Sequence, residues 1–73
     1  MTAEEWIHTF VQEIGGEPPS PEQMDEILRL ASVAAHASER KAAPIACYLA
    51  GTTNTPLARL IAVAEGIAPE AAE

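Results

Sequence analysis

The sequence predicts an all-α fold, a compact bundle of about four helices. Apolar residues recur at spacings of three and four, which is the helical period. The composition is 48% apolar but only 4% aromatic, and its many alanines suit close-packed helices. No stretch alternates apolar and polar residues as a strand would. We expect a single domain over residues 1–73 with a frayed tail at 67–73. The predicted helices span approximately 3–14, 21–40, 44–51 and 56–65.

The first predicted helix has the clearest start signal. Thr2 with Glu5 three residues later forms a capping box, and Gly15 follows the last apolar position. Trp6 and Phe10, four residues apart, are expected to pack in the core rather than form a binding surface, although a domain this small can leave one edge exposed. The apolar face of this helix consists of Trp6, Ile7, Phe10, Val11 and Ile14.

The second predicted helix is the longest and begins at a strong N-cap. Ser20 is the cap, Pro21 takes the first helical position, and Gln23 follows the cap by three residues. The helix is expected to continue to Arg40. Its wide apolar arc predicts a central helix that contacts more than one neighbour. The arc contains Met24, Ile27, Leu28, Leu30, Ala31, Val33, Ala34, Ala35, Ala37 and Ser38.

A polar strip occupies the remaining side of this helix. Asp25 and Arg29 are spaced for an ion pair at i, i+4. His36 and Arg40 fall in the last turns, where cations complement the exposed carbonyls. Together with Lys41, three of these residues make a basic strip, formed by Arg29, His36, Arg40 and Lys41.

Two shorter helices complete the predicted bundle. Pro44 opens the third helix and Gly51 ends it. Thr55 is expected to cap the fourth helix, with Pro56 as its first residue. The inward face of the fourth helix is predicted to be Leu57, Leu60, Ile61 and Ala64.

Charge and cysteine content exclude several classes of protein. A net charge of −7 argues against binding a nucleic-acid backbone, because a uniformly acidic surface repels phosphates. The acidic N-terminus is unlike a signal peptide, and no apolar run approaches membrane-spanning length. A single cysteine cannot form an internal disulfide. We expect a cytoplasmic protein that does not contact membranes.

The residues that could carry chemistry point away from catalysis. His36 could act as an acid, a base or a ligand, but its position favours a hydrogen-bonding role at a helix end. Cys47 could be a nucleophile beside His36, but inside an apolar helix it is expected to behave as a small hydrophobe. Tyr48 is expected to turn its ring inward. We therefore predict no enzyme activity, no cofactor and no metal site.

A helix-turn-helix is an alternative over residues 44–65. Cys47, Gly51 and Leu57 match the spacing of small, glycine and aliphatic positions in that motif. Pro56 would lie inside the recognition helix, and Arg59 would be its one cation. Reading phosphates and guanine edges requires more cations than this.

A distinctive pattern runs from His36 to Gly51. Together with Trp6 and the helix at 27–36, it resembles a family of small domains of unknown function from actinobacteria. Those domains occur alone or appended to molybdenum-cofactor guanylyltransferase-like proteins. The resemblance covers about two-thirds of the chain and ends after Gly51. The matching residues are His36, Glu39, Arg40, Ala43, Pro44, Leu49 and Gly51, with Tyr48 where an aromatic is usual.

The resemblance implies a helical accessory domain linked to molybdenum-cofactor handling. We expect a non-catalytic protein-interaction domain whose partner is a cofactor-maturation protein or a molybdoenzyme. The sequence leaves a homo-oligomer open, and a small anionic ligand near His36 and Tyr48 is a further alternative. The candidate contact residues are Arg29, His36, Glu39, Arg40, Lys41 and Tyr48.

Overall fold

Four α-helices make up the regular structure in a computed structural model of the chain, which describes residues 1–67. The prediction of a compact all-α bundle is confirmed. Of the predicted frayed tail, residues 68–73 lie outside the described part. The helices are α1 (Ala3–Ile14), α2 (Pro21–Ala37), α3 (Ala42–Gly51) and α4 (Leu57–Gly66).

Two capping boxes start α1 and α2 where the sequence predicts them. The backbone N–H of Glu5 donates to Thr2 Oγ1 over 3.1 Å, and the N–H of Thr2 donates to Glu5 Oε1 over 2.8 Å. Ser20 and Gln23 repeat this exchange at 3.1 and 2.9 Å. Each box satisfies two backbone donors that a helix start would otherwise leave unpaired.

Gly15 ends α1 in a left-handed conformation. Its φ is +82°, and its N–H donates to the Val11 carbonyl over 2.8 Å. Glycine adopts this conformation without the Cβ clash that other residues suffer, so the predicted stop at this residue is confirmed.

Helix α2 is the centre of the bundle, because both α3 and α4 pack against it. This confirms the interpretation of its wide apolar arc. Leu30 of α2 is only 4% exposed and Ile61 of α4 only 7%, and these are the buried apolar residues within 1–67. The inward face predicted for α4 is also confirmed: Leu57, Leu60 and Ala64 are partly or mostly shielded beside Ile61.

The prediction that α2 continues to Arg40 is wrong, because the helix ends at Ala37. Ser38 leaves helical geometry with φ −143° and ψ −93°. Its hydroxyl donates to the Ala34 carbonyl over 3.0 Å and so satisfies an acceptor of the last turn. Arg40 therefore lies in the connection to α3, off the polar strip of α2. Helix α3 begins at Ala42, two residues before the predicted start.

The predicted cap at Thr55 is also wrong. Pro56 occupies the N-cap position in extended geometry, with φ −59° and ψ 144°, and no side chain caps α4. The Pro56 carbonyl accepts the first helical bonds, from the N–H groups of Arg59 at 3.0 Å and Leu60 at 3.1 Å. Because a proline has a fixed φ but free carbonyl, it can start the helix without lying inside it.

Helix α1 contributes no buried residue to the bundle. It makes fewer contacts with the other helices than α3 and α4 make with α2. Trp6 is 55% exposed and Phe10 47%, so the prediction that they pack in the core is wrong. Their rings stack on each other instead, with centroids 5.1 Å apart. The half-buried Ile7 lines a small cavity with Pro18 and Met24, beside the start of α2.

Within residues 1–67, no helix combines the length and the apolar character that crossing a membrane would require.

Candidate functional site

An open apolar groove of about 690 Å³ runs between α2, α3 and the end of α4. Its floor and walls come from the second half of α2 and from one side of α3. Of the described residues, the polar ones that line it lie at the end where α2 turns into α3. The lining residues are Leu30, Val33, Ala34, Ala37, Ser38, Glu39, Lys41, Ala42, Ile45, Ala46, Leu49, Ala64 and Ile67.

The sequence of α3 explains why this groove is apolar. From Ala42 to Gly51 the helix carries no charged residue, and such a helix is usually buried on all sides. Here only its inner side is shielded, where Ala46 and Cys47 lie against α2. Ile45 stays 59% exposed and Leu49 55%, both facing the groove. The groove-facing side of α3 is therefore an apolar surface without a covering element in residues 1–67.

The turn between α2 and α3 places charge at one end of the groove. Lys41 Nζ lies 3.7 Å from Glu39 Oε1, and both side chains are well exposed. Arg40 between them is exposed as well. Two of the chain's four Lys and Arg residues thus stand at this end, and one carboxylate offsets part of their charge.

His36 bonds within its own helix. Its Nδ1 lies 2.8 Å from the Ser32 carbonyl oxygen and 3.1 Å from the Ser32 hydroxyl. A carbonyl oxygen only accepts, so Nδ1 donates the proton of this bond. The side chain is exposed in the last turn of α2. The prediction of a hydrogen-bonding histidine at a helix end is confirmed.

Arg29 pairs with a different carboxylate from the predicted one. Its Nη2 lies 2.7 Å from Glu65 Oε2, so the ion pair joins α2 to α4, and the predicted partner Asp25 is not used. The three side chains border a shallow cavity of about 350 Å³ between these helices. An i, i+4 pair is visible in sequence, whereas a partner 36 residues away is brought near only by packing.

Tyr48 and Cys47 are neighbours in α3 but differ in exposure. Tyr48 is 71% exposed, so the prediction that its ring turns inward is wrong. The half-buried Cys47 faces α2, where its Sγ donates to the Ile27 carbonyl over 3.8 Å. Loss of water raises the pKa of the Cys47 thiol above its ordinary value. A thiol held protonated is a poor nucleophile, which supports its predicted role as a small hydrophobe.

The six candidate contact residues do not form one site. Glu39 and Lys41 line the groove, but Arg29 borders a different cavity and is paired with Glu65. His36, Arg40 and Tyr48 line none of the groove formed by residues 1–67. The predicted basic strip is interrupted, because α2 ends before Arg40. Among the described residues no three His, Cys, Asp or Glu side chains are grouped to hold a metal.

Sequence reasoning missed the residues that dominate the exposed apolar surface. The sequence predicts Ile45 and Leu49 as part of the short third helix, with Leu49 also in the family-like pattern, and it predicts Trp6 and Phe10 in the core. The composition of α3 does indicate this surface, because the helix is apolar on every side. A ten-residue helix at the edge of a small bundle cannot bury all of its sides, so some of its apolar side chains must stay exposed.

The helix-turn-helix alternative is not favoured by the packing. Residues 52–56 connect α3 to α4, one more residue than the longest turn usual in that motif. Both helices pack chiefly against α2 rather than against each other. Pro56 precedes α4 instead of lying inside it, so a proline within the recognition helix is no longer an argument against the motif. Arg59 is still the one Lys or Arg in α4.

The chain matches a known protein family. The family model described as domain of unknown function DUF6457 matches residues 1–72, almost the whole chain. No curated protein and no solved structure matches this chain. The predicted resemblance to small domains of unknown function is confirmed at that level. This chain therefore belongs to the DUF6457 family, and the apolar groove and the helices around it are features of a member of that family.

Proposed function

We propose that this chain is a non-catalytic protein-interaction domain that binds a helix of a partner protein in the groove. The observation that carries the proposal is the open apolar surface between α2, α3 and α4. Ile45, Leu49 and Ile67 line it while 59%, 55% and 63% exposed. Contiguous exposed apolar surface of this kind marks interaction sites in soluble proteins. An amphipathic helix laid into such a groove would cover these side chains.

The chemistry of the lining favours a protein over a small polar ligand. Nucleotides and pterins need several placed donors and acceptors to fix their orientation. Among residues 1–67, the side-chain polar atoms that line the groove come from Ser38, Glu39 and Lys41, all at one end. The remaining wall offers apolar contact, which suits Leu, Ile or Phe side chains of a helix.

The environment of the polar side chains supports a non-catalytic role. Among residues 1–67 no polar or charged residue is buried. Catalytic acids, bases and nucleophiles usually stand in partly desolvated settings that adjust their pKa. The raised pKa of Cys47 works against nucleophilic attack rather than for it.

The charges at the groove end suggest which helix would bind. Arg40 and Lys41 favour acidic residues at the near end of the bound helix, through screened surface attraction. The resemblance at 36–51 supports a cytoplasmic molybdenum-cofactor maturation protein or molybdoenzyme as the partner.

Affinity capture from the native host tests the proposal with matched variants. Ile45→Glu places a charge in the groove, whereas Val63→Glu makes the same exchange at an apolar residue of α4 that is 50% exposed and outside the groove lining. We expect the wild type and Val63→Glu to capture the same partner and Ile45→Glu to lose it. With the purified partner, Ile45→Glu should raise Kd by about tenfold or more.

Two results would count against the proposal in different ways. Equal binding by Ile45→Glu and the wild type contradicts docking in the groove. Equal binding by Arg40→Glu and the wild type contradicts only the role of the basic end. Identification of the partner by mass spectrometry checks the molybdenum-cofactor context separately.

A further inference from the structure

We infer that the isolated protein forms a reciprocal homodimer in which α1 of each copy docks in the groove of the other. The inference rests on the proposed function, because it names an occupant of the same groove. Two unpartnered apolar surfaces, the groove and one face of α1, belong to a single chain. A helix face fits a groove in shape, both surfaces consist of apolar side chains, and the charges beside them are opposite.

The first step is the exposed face of α1. Trp6, Phe10 and Ile14 succeed one another at spacings of four, so they lie in one row along the helix. They are 55%, 47% and 63% exposed. A row of large apolar residues at this spacing is the anchor pattern by which helices bind grooves.

The second step is the amount of surface left uncovered. The chain exposes 5848 Å², whereas folded monomers of 7.7 kDa expose about 4,300 Å² by the usual scaling with mass. The scaling for unfolded chains gives six residues, the number outside the described part, a maximum area of about 800 Å². Subtracting all of it from the excess leaves about 700 Å², which is close to the ~800 Å² that each partner covers in a standard interface.

The third step is the size of the core. Leu30 and Ile61 are the apolar side chains buried within residues 1–67. Chains near this length gain little stability from one hydrophobic core, and association between copies is a common remedy. Docking α1 in the groove would cover Trp6 and Phe10 together with Ile45 and Leu49.

The fourth step is charge. Helix α1 carries Glu4, Glu5 and Glu13 and no Lys or Arg, so it is acidic. The groove end is lined by Lys41 and Glu39, and Arg40 lies between them in the turn, so two cations and one carboxylate give this end a net positive charge. Docking α1 in the groove brings opposite charges near each other, whereas pairing two α1 helices would bring like charges together.

The experiment measures mass in solution by sedimentation equilibrium at concentrations up to about 1 mM. We expect a dimer for the wild type and for the Val63→Glu control. Phe10→Glu removes the α1 anchor and Ile45→Glu blocks the groove, so each should be monomeric. An equimolar mixture of Phe10→Glu and Ile45→Glu should recover a dimer, because one intact α1 meets one intact groove.

Trp6 provides a second readout, since it is the chain's only tryptophan. Its emission should shift to shorter wavelength and resist acrylamide quenching when the dimer forms. Phe10→Glu alone should show neither change. Circular dichroism identifies a variant that fails to fold, in which case Phe10→Ser or Ile45→Ser takes its place.

The alternatives give different results. A wild type that is monomeric at the highest concentration overturns the inference. If Phe10→Glu is monomeric and Ile45→Glu is dimeric, the copies pair through their α1 helices. If Phe10→Glu is dimeric and Ile45→Glu is monomeric, they pair through their grooves. Either result overturns the inference of a reciprocal homodimer. None of these results decides the proposed function, which fails only if Ile45→Glu still binds the partner protein.

Discussion

Arg29 Nη2 lies 2.7 Å from Glu65 Oε2 and ties the middle of α2 to the last turn of α4. A carboxylate near a helix C-terminus is unfavourable because the exposed carbonyls there carry partial negative charge. The guanidinium of Arg29 offsets this repulsion. Since the side chains are 63% and 45% exposed, water and salt screen the pair.

The pair should contribute little to the free energy of unfolding. In a double-mutant cycle with Arg29→Ala and Glu65→Ala, we expect a coupling of about 0.2–1 kcal/mol. The coupling should fall further in about 1 M NaCl, where the screening length is short. Urea denaturation of the four proteins measures it. A coupling well above this range would show that the pair is less exposed to solvent than its geometry indicates.

Leu30→Ala should be among the most damaging single truncations. Leu30 is 4% exposed at the centre of α2, and truncating a buried leucine costs about 2–5 kcal/mol. Leu28→Ala, the same exchange in the same helix at a residue 63% exposed, should change stability by less than about 1 kcal/mol. Urea denaturation of both variants provides the comparison. Equal losses would contradict the packing of α2 against α3 and α4.

The two capping boxes should differ in their effect on stability. Ser20→Ala should lower the free energy of unfolding by about 1 kcal/mol, because α2 is central to the bundle. Thr2→Ala should change it by less than about 0.5 kcal/mol, since α1 contributes no buried residue. Its effect should be faster amide exchange within α1.

Both capping variants are best measured in a Phe10→Glu background, where docking of α1 cannot contribute. Global stability then comes from urea denaturation and local opening from hydrogen exchange. If Thr2→Ala lowered global stability as much as Ser20→Ala, α1 would be part of the cooperative bundle.

Cys47 should make stability depend on pH in the alkaline range. Its pKa is raised in the folded state, because partial burial disfavours the thiolate. The native protein therefore keeps a proton that the unfolded chain loses. This contribution is fully present below the unfolded pKa of about 8.5 and is lost as pH rises through the raised native pKa.

The measurement is the free energy of unfolding at about pH 7 and about pH 10, for the wild type and Cys47→Ala. The wild type should lose more stability over this interval than the variant does. Iodoacetamide should also label Cys47 more slowly than an unfolded thiol at the same pH. Identical pH profiles for the two proteins would show that Cys47 is not desolvated in solution.

Much of the helical pattern follows from neighbouring residues alone. Thr2 with Glu5 and Ser20 with Gln23 predict the helix starts, because each box is completed within four residues. Gly15 predicts the end of α1 for a similarly local reason. The half-buried side of α4 follows from the spacing of its apolar residues.

The end of α2 shows where local signals conflict. The apolar pattern and His36 predict that the helix continues to Arg40, because no glycine or proline interrupts the sequence between Pro21 and Arg40. The Ser38 hydroxyl competes for the Ala34 carbonyl, and the chain must turn there for α3 to pack against α2. The charges at 39–41 consequently stand at the groove end instead of along the helix.

The sequence by itself determined the number and order of the helices, the capping boxes of α1 and α2, and the apolar face of α4, because these depend on contacts within a few residues. The tertiary structure decided which apolar faces are covered. It placed Ile61 against α2, gave Arg29 a partner 36 residues away, and left Trp6 and Ile45 exposed. Periodicity marks a face as apolar but says nothing about what lies opposite, since burial depends on how distant helices pack.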